Sequence, residues 1–382
     1  MLIKVILLNS LKDCCGCTAC ASICNNNAIS LQEDSLGFVY PIVSTDKCIK
    51  CGLCVRVCPF NTKQKQNSFE PIAYAARHIM KQEVMTSRSG ASFIALADWI
   101  IKNGGVVYGA GYGKHFAVMH KRASNRLELL EFKGSKYSQS DMRGVYEQVI
   151  IDLKNNKMVC FSGTPCQIAA IKSFVPDRYH NNLYLIDIVC HGVASPRIWQ
   201  DYLTYIEKLY CGQVEAVNFR DKVLFGWEDH RESFVINGRR RTFRHSYYHS
   251  IHFRPSCSNC KFTSLNRPAD VTIADFWGVE KVAPDFNADG NGCNLLLVNT
   301  EKGHQWLTSI SGDLFKKKVD INDCLQYNLQ YPTSQHAFHD KFKLDYDNEG
   351  FMYVMKKYCE WGIKKRVIRM FNKILMKLRI LS

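Results

Sequence analysis

Cys14, Cys17, Cys20 and Cys24 recur as Cys48, Cys51, Cys54 and Cys58, offset by 34 residues. Each run reads C-x2-C-x2-C-x3-C, and no other feature constrains the chain as much. Four thiols packed so closely, twice, require the backbone to wind round something that takes four sulfurs. Structural zinc sites usually separate their cysteine pairs by about a dozen residues or more. The spacing fits a four-iron, four-sulfur cubane far better. In two-cluster ferredoxins the fourth cysteine of each run ligates the other cluster. One cluster is therefore expected on Cys14, Cys17, Cys20 and Cys58, and the other on Cys48, Cys51, Cys54 and Cys24. Pro59 follows the second run as that pattern expects, whereas Asn25 stands where the first would have proline. Cys15 is surplus to both sets.

Composition supports the metal reading. The 382 residues include 18 cysteines, nine of them between Cys14 and Cys58. A secreted disulfide scaffold would be shorter and would normally carry a signal peptide. The segment Met1 to Leu11 holds an apolar run with a single Lys and no small-residue cleavage site, so it reads as a strand or lead-in. No stretch reaches the roughly 18 uncharged apolar residues of a membrane span. Reducing cytoplasm is the expected compartment. The formal charge is +15. Two clusters at about −2 each leave roughly +11. That balance points to an anionic partner: a phosphate-bearing cofactor, an acidic protein or a membrane surface. No nucleic-acid-binding fold accompanies the cations, and no nucleic acid is expected.

The chain divides into a two-cluster ferredoxin-type domain (1–68), two body regions (71–155 and 156–345) and a basic tail (346–382). The polar segment Thr62 to Ser68 reads as a linker. In the body, helical patterns (Ala91–Lys102, Asp141–Lys154, Pro165–Phe174, Pro196–Tyr210) alternate with short apolar runs (Val106–Gly109, Met158–Phe161, Leu183–Val189, Val271–Ile273, Leu295–Val298). The expected class is α+β: a bacterial-ferredoxin-like domain, a mixed α/β body and a C-terminal amphipathic helix. Asn237-Gly238 marks a tight hairpin turn.

Within the body, Ser87 to Gly90 is a small polar loop before a helix. It suits a phosphate at the helix N-terminus with Arg88 adding charge, or a plain cap with an exposed Arg. Thr164 is placed as N-cap and Pro165 as the first helical residue. Cys166 then falls in the first turn, where the helix dipole favours a thiolate. It is a cluster ligand, a nucleophile or a buried neutral thiol. Cys190 ends an apolar strand just before His191 and Gly192. Cys257 and Cys260 form a C-x2-C pair, shared by zinc, disulfide and cluster sites. With Cys166 and Cys190 they make four ligands, enough for a third cubane. Gly109-Ala110-Gly111-Tyr112-Gly113 invites a dinucleotide reading, but Lys114 replaces the third glycine and a strand follows. Arg239, Arg240, Arg241 and Arg244 read as a solvated hairpin edge or a contact for an anionic cofactor tail.

Ser87-Arg88-Ser89-Gly90, Lys136-Tyr137 with Gln139-Ser140, Gly163-Thr164-Pro165-Cys166-Gln167, Cys190-His191-Gly192, Phe219-Arg220-Asp221-Lys222, Cys257-x2-Cys260 and Ala274-Asp275-Phe276-Trp277-Gly278 occur in that order. In this respect the chain resembles the beta-subunit family of coenzyme F420-reducing hydrogenases and dehydrogenases, in the form with a fused ferredoxin. The resemblance implies a flavin-binding body with FAD and a further iron–sulfur cluster. It implies electron transfer between a deazaflavin and a redox partner, with NAD(P)H as the other candidate donor. By the same resemblance Ser87, Arg88, Ser89, Gly90, Lys136, Tyr137 and Thr164 are candidate cofactor contacts, and fused forms accompany polysaccharide biosynthesis. His191 is the one weak candidate for a catalytic or potential-tuning role, or is a structural histidine, and an iron–sulfur carrier without flavin is the alternative function. Ala91 departs from the family pattern, which commonly has a second glycine there.

The tail from Trp361 to Ser382 places Ile363, Val367, Phe371, Ile374, Leu378 and Leu381 at helical steps on one face. Seven Lys and Arg lie among them, with no acidic residue after Glu360. Such a helix lies on an anionic membrane surface, giving peripheral attachment at the inner leaflet, or docks on the body or an acidic partner.

Overall fold

The structure, a computed structural model, describes residues 10–62, 66–243 and 246–361. The ferredoxin unit pairs β1 (Ile29–Glu33) with β2 (Val39–Val43) in an antiparallel hairpin. Two one-turn helices, Ala19–Ser22 and Leu53–Arg56, each carry the third cysteine of a run. The two cysteine runs share their backbone. Gly16 and Thr18 have φ of 68° and 63°, and their counterparts Lys50 and Gly52 have 59° and 72°.

The body is built from β3 (Ile72–His78), β4 (Val106–Tyr112), β5 (Val118–Ala123), β6 (Val159–Gly163), β7 (Leu183–Ile188), β8 (Val214–Asn218), β9 (Glu232–Ile236), β10 (Arg239–Phe243), β11 (Val271–Asp275), β12 (Asn294–Val298) and β13 (Leu314–Val319). One sheet takes eight of these in the order β13-β3-β12-β11-β7-β6-β4-β5, and β10-β9-β8 form a smaller one. The centre, β11-β7-β6-β4, is parallel, while both flanks are antiparallel. The sheet thus runs through both body regions, across the boundary at 155/156.

Alternation along the strands sets the two faces. Val106, Tyr108, Val159 and Phe161 point to one side, Val107 and Cys160 to the other. Helices Val145–Lys154 and Pro165–Phe174 cover the first face, and Ala19, Val57 and Phe60 of the ferredoxin unit pack there too. Helices Ser92–Lys102 and Glu301–Ser309 cover the second. The β1–β2 hairpin buries Leu36 and Phe38, each 1% exposed, against Ile198, Ile251 and Phe342 of the body. Burial of such a side chain is worth roughly 1.5–3 kcal/mol, so the ferredoxin unit is part of the core rather than a tethered module.

Helices Pro165–Phe174 and Pro196–Tyr210 fall where their caps place them. The helix expected from Ala91 starts at Ser92, because Ala91 takes a left-handed φ of 65°. The one expected from Asp141 starts at Val145. Asp141 instead extends β5 through Val118 and His120, and Gly144 turns the chain at φ 77°. Asn237 and Gly238 make the hairpin turn with φ of 51° and 65°. Gly109–Gly113 lies at the end of β4 with no helix after it. No helix among the described residues is long and apolar enough to cross a membrane. Trp361 rests on Tyr202, Tyr205 and Phe351, and the expected amphipathic helix beyond it lies outside the described residues.

Candidate functional site

The first cysteine set gathers on the inner side of the ferredoxin unit. Burial raises the Cys20 thiol, and Cys17, Cys14 and Cys58 add to the effect as neighbours. Cys58 likewise has Cys17 and Cys14 beside it. The chain therefore returns the fourth cysteine of the second run to the first three of the first run. Cys48 and Cys51 flank Cys54 on the outer side, and Cys51 is exposed. Amides point at the sulfurs, as cluster ligands require: Gly16 N–H donates to Cys14 Sγ and Ala28 N–H to Cys24 Sγ, both at 3.4 Å.

In the body, Cys166, Cys190, Cys257 and Cys260 also converge. Burial pushes Cys190 well up, with Cys257, Cys166 and Cys260 as charged neighbours. Burial also lifts Cys257 to about 12 and Cys260 to about 11. Val193 N–H donates to Cys257 Sγ at 3.4 Å. Cys166 goes the other way, to about 7, because the Cys15 thiol hydrogen-bonds it and outweighs burial. Cys15 touches Cys17 as well, and so joins the inner ferredoxin cysteines to the body group. Among the described residues no three His, Cys, Asp or Glu side chains close on a single-ion position. Four convergent thiols with an amide donor suit a cluster, in which each sulfur takes its own iron.

Beside Cys190 opens a cavity of about 580 Å³, within the usual range for cofactors. The fold puts it there. Gly109 and Ala110 of β4, Ser162 and Gly163 of β6, Ile186 and Ile188 of β7 and Ala274 and Asp275 of β11 all line it. These are the carboxyl ends of the parallel strands, where open α/β sheets bind ligands.

Arginines and aromatic rings line the cavity. Arg220 donates to Asp275 Oδ2 at 2.6 Å, and Arg88 Nε lies 3.8 Å from the same oxygen. Arg88 also donates to the Trp227 carbonyl. Two guanidiniums thus share one carboxylate. Arg88 Nε and Nη1 and Arg220 Nε, all buried, have no hydrogen-bond partner among the described residues. Tyr137 stacks on Tyr247 with centroids 4.1 Å apart, and Trp277 on Trp227 at 4.6 Å. Burial lowers His120 to about 4, so it is neutral, held by Ser140 Oγ at 2.5 Å and the Ser162 carbonyl at 3.0 Å.

Ser87, Arg88, Ser89, Lys136, Tyr137, Thr164, Cys190 and His191 all line this cavity. Several are already committed. Ser89 Oγ donates to the Cys293 carbonyl at 2.7 Å. Lys136 Nζ donates to the Glu131 and Lys133 carbonyls at 2.9 and 3.2 Å, and burial lowers its pKa to about 7. Thr164 Oγ1 lies 3.2 Å from Cys166 Sγ, and Gln167 Oε1 accepts from the Thr164 amide at 3.0 Å. His191 is exposed, with Nδ1 3.0 Å from Asn328 Oδ1. Gly90 stands outside the cavity lining. A Cβ there would fall 2.4 Å from the Ala76 carbonyl and 2.7 Å from Asn294 N, so the glycine serves strand packing. The first amide of helix Ser92–Lys102 is likewise spent on Asn294 Oδ1, at 2.9 Å. The charge on Arg88, rather than the helix terminus, is what faces the cavity. Sequence reasoning passed over Arg220, Asp275 and His120, although the first two stand inside motifs. It passed over Arg254, for which no local signal exists.

This assembly, an inner and outer cysteine set joined by buried thiols to a cysteine group at the cavity, defines an iron–sulfur electron-transfer protein. Residues 13–62 match a 4Fe-4S dicluster domain, and residues 156–322 match the C terminus of the coenzyme F420 hydrogenase/dehydrogenase beta subunit. The chain is 22% identical over 327 residues to the coenzyme F420-dependent sulfite reductase of Methanocaldococcus jannaschii. That match covers 78% of this chain and 46% of the relative, so the chain spans about half the relative's length. Among solved structures, the F420-reducing [NiFe] hydrogenase complex of Methanosarcina barkeri aligns with a TM-score of 0.46 at 15% identity, covering 79% of this chain and 96% of that one.

Proposed function

We propose that the chain is an iron–sulfur flavoprotein oxidoreductase, with FAD in the cavity and three [4Fe-4S] clusters leading from it to the surface. One observation carries this reading. Cys190 both lines the cavity and belongs to the four-cysteine body group, and Cys15 links that group to Cys17. Bound FAD supplies the exchange between a two-electron hydride donor and one-electron acceptors.

The protein's part is position and electrostatics. Arg88 and Arg220 offer unpaired donors to a phosphate. Tyr137 and Trp277 offer faces to a ring. Thr164, at the head of its helix, holds Cys166 beside the cavity floor. His120 is kept neutral and hydrogen-bonded, so it orients its neighbours without adding charge. Cys166, Cys190, Cys257 and Cys260 hold the body cluster, and the two ferredoxin sets continue outward to exposed Cys51. The donor is coenzyme F420 or NAD(P)H, and the acceptor is a protein docking at the outer cluster. The basic tail adds contact with an anionic membrane surface, to be checked by flotation with anionic liposomes of full-length chain against a chain ending at Glu360. Neither the structure nor the relatives bear on polysaccharide synthesis.

The test is anaerobic purification followed by flavin analysis, then reduction with F420, NADH or NADPH in turn. Flavin released on denaturation and bleached by one of these donors is the expected result. Cluster-loaded protein that neither holds nor rebinds FAD leaves only the carrier function.

A further inference from the structure

Arg254 is buried with 1% exposure, yet among the described residues it has no carboxylate partner. An unpaired buried cation is costly unless something else neutralises it. Its hydrogen bonds do not. Nε donates to the Cys14 carbonyl at 2.6 Å, Nη1 to Gln139 Oε1 at 2.9 Å, and Nη2 to the Val39 carbonyl at 2.8 Å. All three acceptors are neutral. The remaining contact is different: Nη2 lies 3.4 Å from Cys14 Sγ, a sulfur of the inner ferredoxin set.

Arg254 also belongs to the body group by position. Its carbonyl accepts from Cys257 N–H at 3.0 Å, and its charge acts on the thiols of Cys166 and Cys257. The guanidinium lies over Tyr40 at 4.3 Å and Phe38 at 5.3 Å, both from the ferredoxin hairpin. Room is made for it. A Cβ on Gly16 would come 2.5 Å from Arg254 Nη1. The body thus inserts one cation into the ferredoxin unit, at the seam between two sets of cysteines.

We propose that Arg254 is the shared counter-ion of the inner ferredoxin cluster and the body cluster, a positioning residue that raises the potential of both across the seam. The inference rests on the cluster reading above. A cubane with four thiolates carries about −2, so a lone guanidinium between two of them is compensated rather than stranded. A positive charge there stabilises the reduced, more negative form of each cluster and raises both potentials. The outer set, on Cys48, Cys51, Cys54 and Cys24, has the exposed Lys50 in its loop, and Arg254 does not act on Cys54, so it serves as the internal reference.

The experiment is an anaerobic redox titration followed by EPR, on the full chain, with iron and sulfide counted in each sample. R254M keeps the stem and removes the charge. It should lower the potentials of the inner and body clusters and leave the outer one unmoved. R254K should stay close to the parent. Q139E sets a carboxylate against Nη1 and should reproduce R254M, which keeps the test open if R254M fails to accumulate. Equal shifts in all three clusters, or none in either neutralising variant, overturn the proposal and leave Arg254 as a packing residue on Tyr40 and Phe38. A parent protein that lacks the body cluster overturns the function proposed above instead, and the iron count separates the two failures.

Discussion

The two cysteine runs have the same spacing and the same backbone, yet they live in different surroundings. Cys15 is 7% exposed, whereas its counterpart Ile49 is 69% exposed. At the next position, Gly16 gives way to Arg254, while Lys50 holds nearly the same left-handed φ in the open. Tyr146 and Gln139 of the body donate to the Cys17 and Cys15 carbonyls, each at 2.7 Å. The repeat therefore sets the shape of each ligand loop, and the body decides what each loop is for. One faces the body cysteines through Cys15 and one faces outside.

Ligand removal should expose that difference most strongly. Cys58→Ala and Cys51→Ala should each lose about four irons. Cys58 packs in the core shared with the body, so its loss should also lower Tm and open the seam to protease. Cys51→Ala should leave the seam closed. Equal loss of Tm in both would break the comparison.

Glycine substitutions come next. Gly16→Ala meets both a left-handed φ of 68° and the approach of Arg254 and Gln139. Strain of about 1–2 kcal/mol then adds to overpacking of about 1–3 kcal/mol. Gly52→Ala has the φ of 72° but nothing within 4 Å, so only the strain of about 1–2 kcal/mol applies. Denaturant titration of cluster-loaded protein ranks them, and equal midpoints would refute the asymmetry.

Arg88→Ala tests the cavity end of the path. Losing a charge-assisted bond of roughly 1.5–3 kcal/mol should raise the Kd for FAD about tenfold or more, with all clusters retained. Unchanged flavin affinity would remove Arg88 from the site.

The smallest effect belongs to Lys50. Its φ of 59° is costly for a side chain in open solvent, so Lys50→Gly should stabilise by about 1 kcal/mol. A destabilised variant would mean that Lys50 makes a contact of its own.

Much of this was legible in the sequence because the signals are local. Thr164 with Pro165 announces its helix at the first residue. Asn237-Gly238 announces its turn. The cysteine spacing announces the ligand loops, and each of the quoted body motifs except Cys257-x2-Cys260 places at least one residue in the cavity wall. Arg254 was not legible because its partner Cys14 is 240 residues away and nothing near it signals burial. The close approach of Ala76 and Asn294 to Gly90 was not legible either, because only the fold brings those strands to it. The late start of helix Val145–Lys154 has the same cause: a helical pattern cannot reveal that Asp141 is claimed by β5.

The central claim is a line of three clusters from the cavity to the outer cysteines. It is tested most directly by counting iron and acid-labile sulfide in the anaerobically purified full chain. The account predicts about twelve of each per chain. About eight of each, with Cys166, Cys190, Cys257 and Cys260 all titrating as free thiols in the unfolded protein, would contradict it.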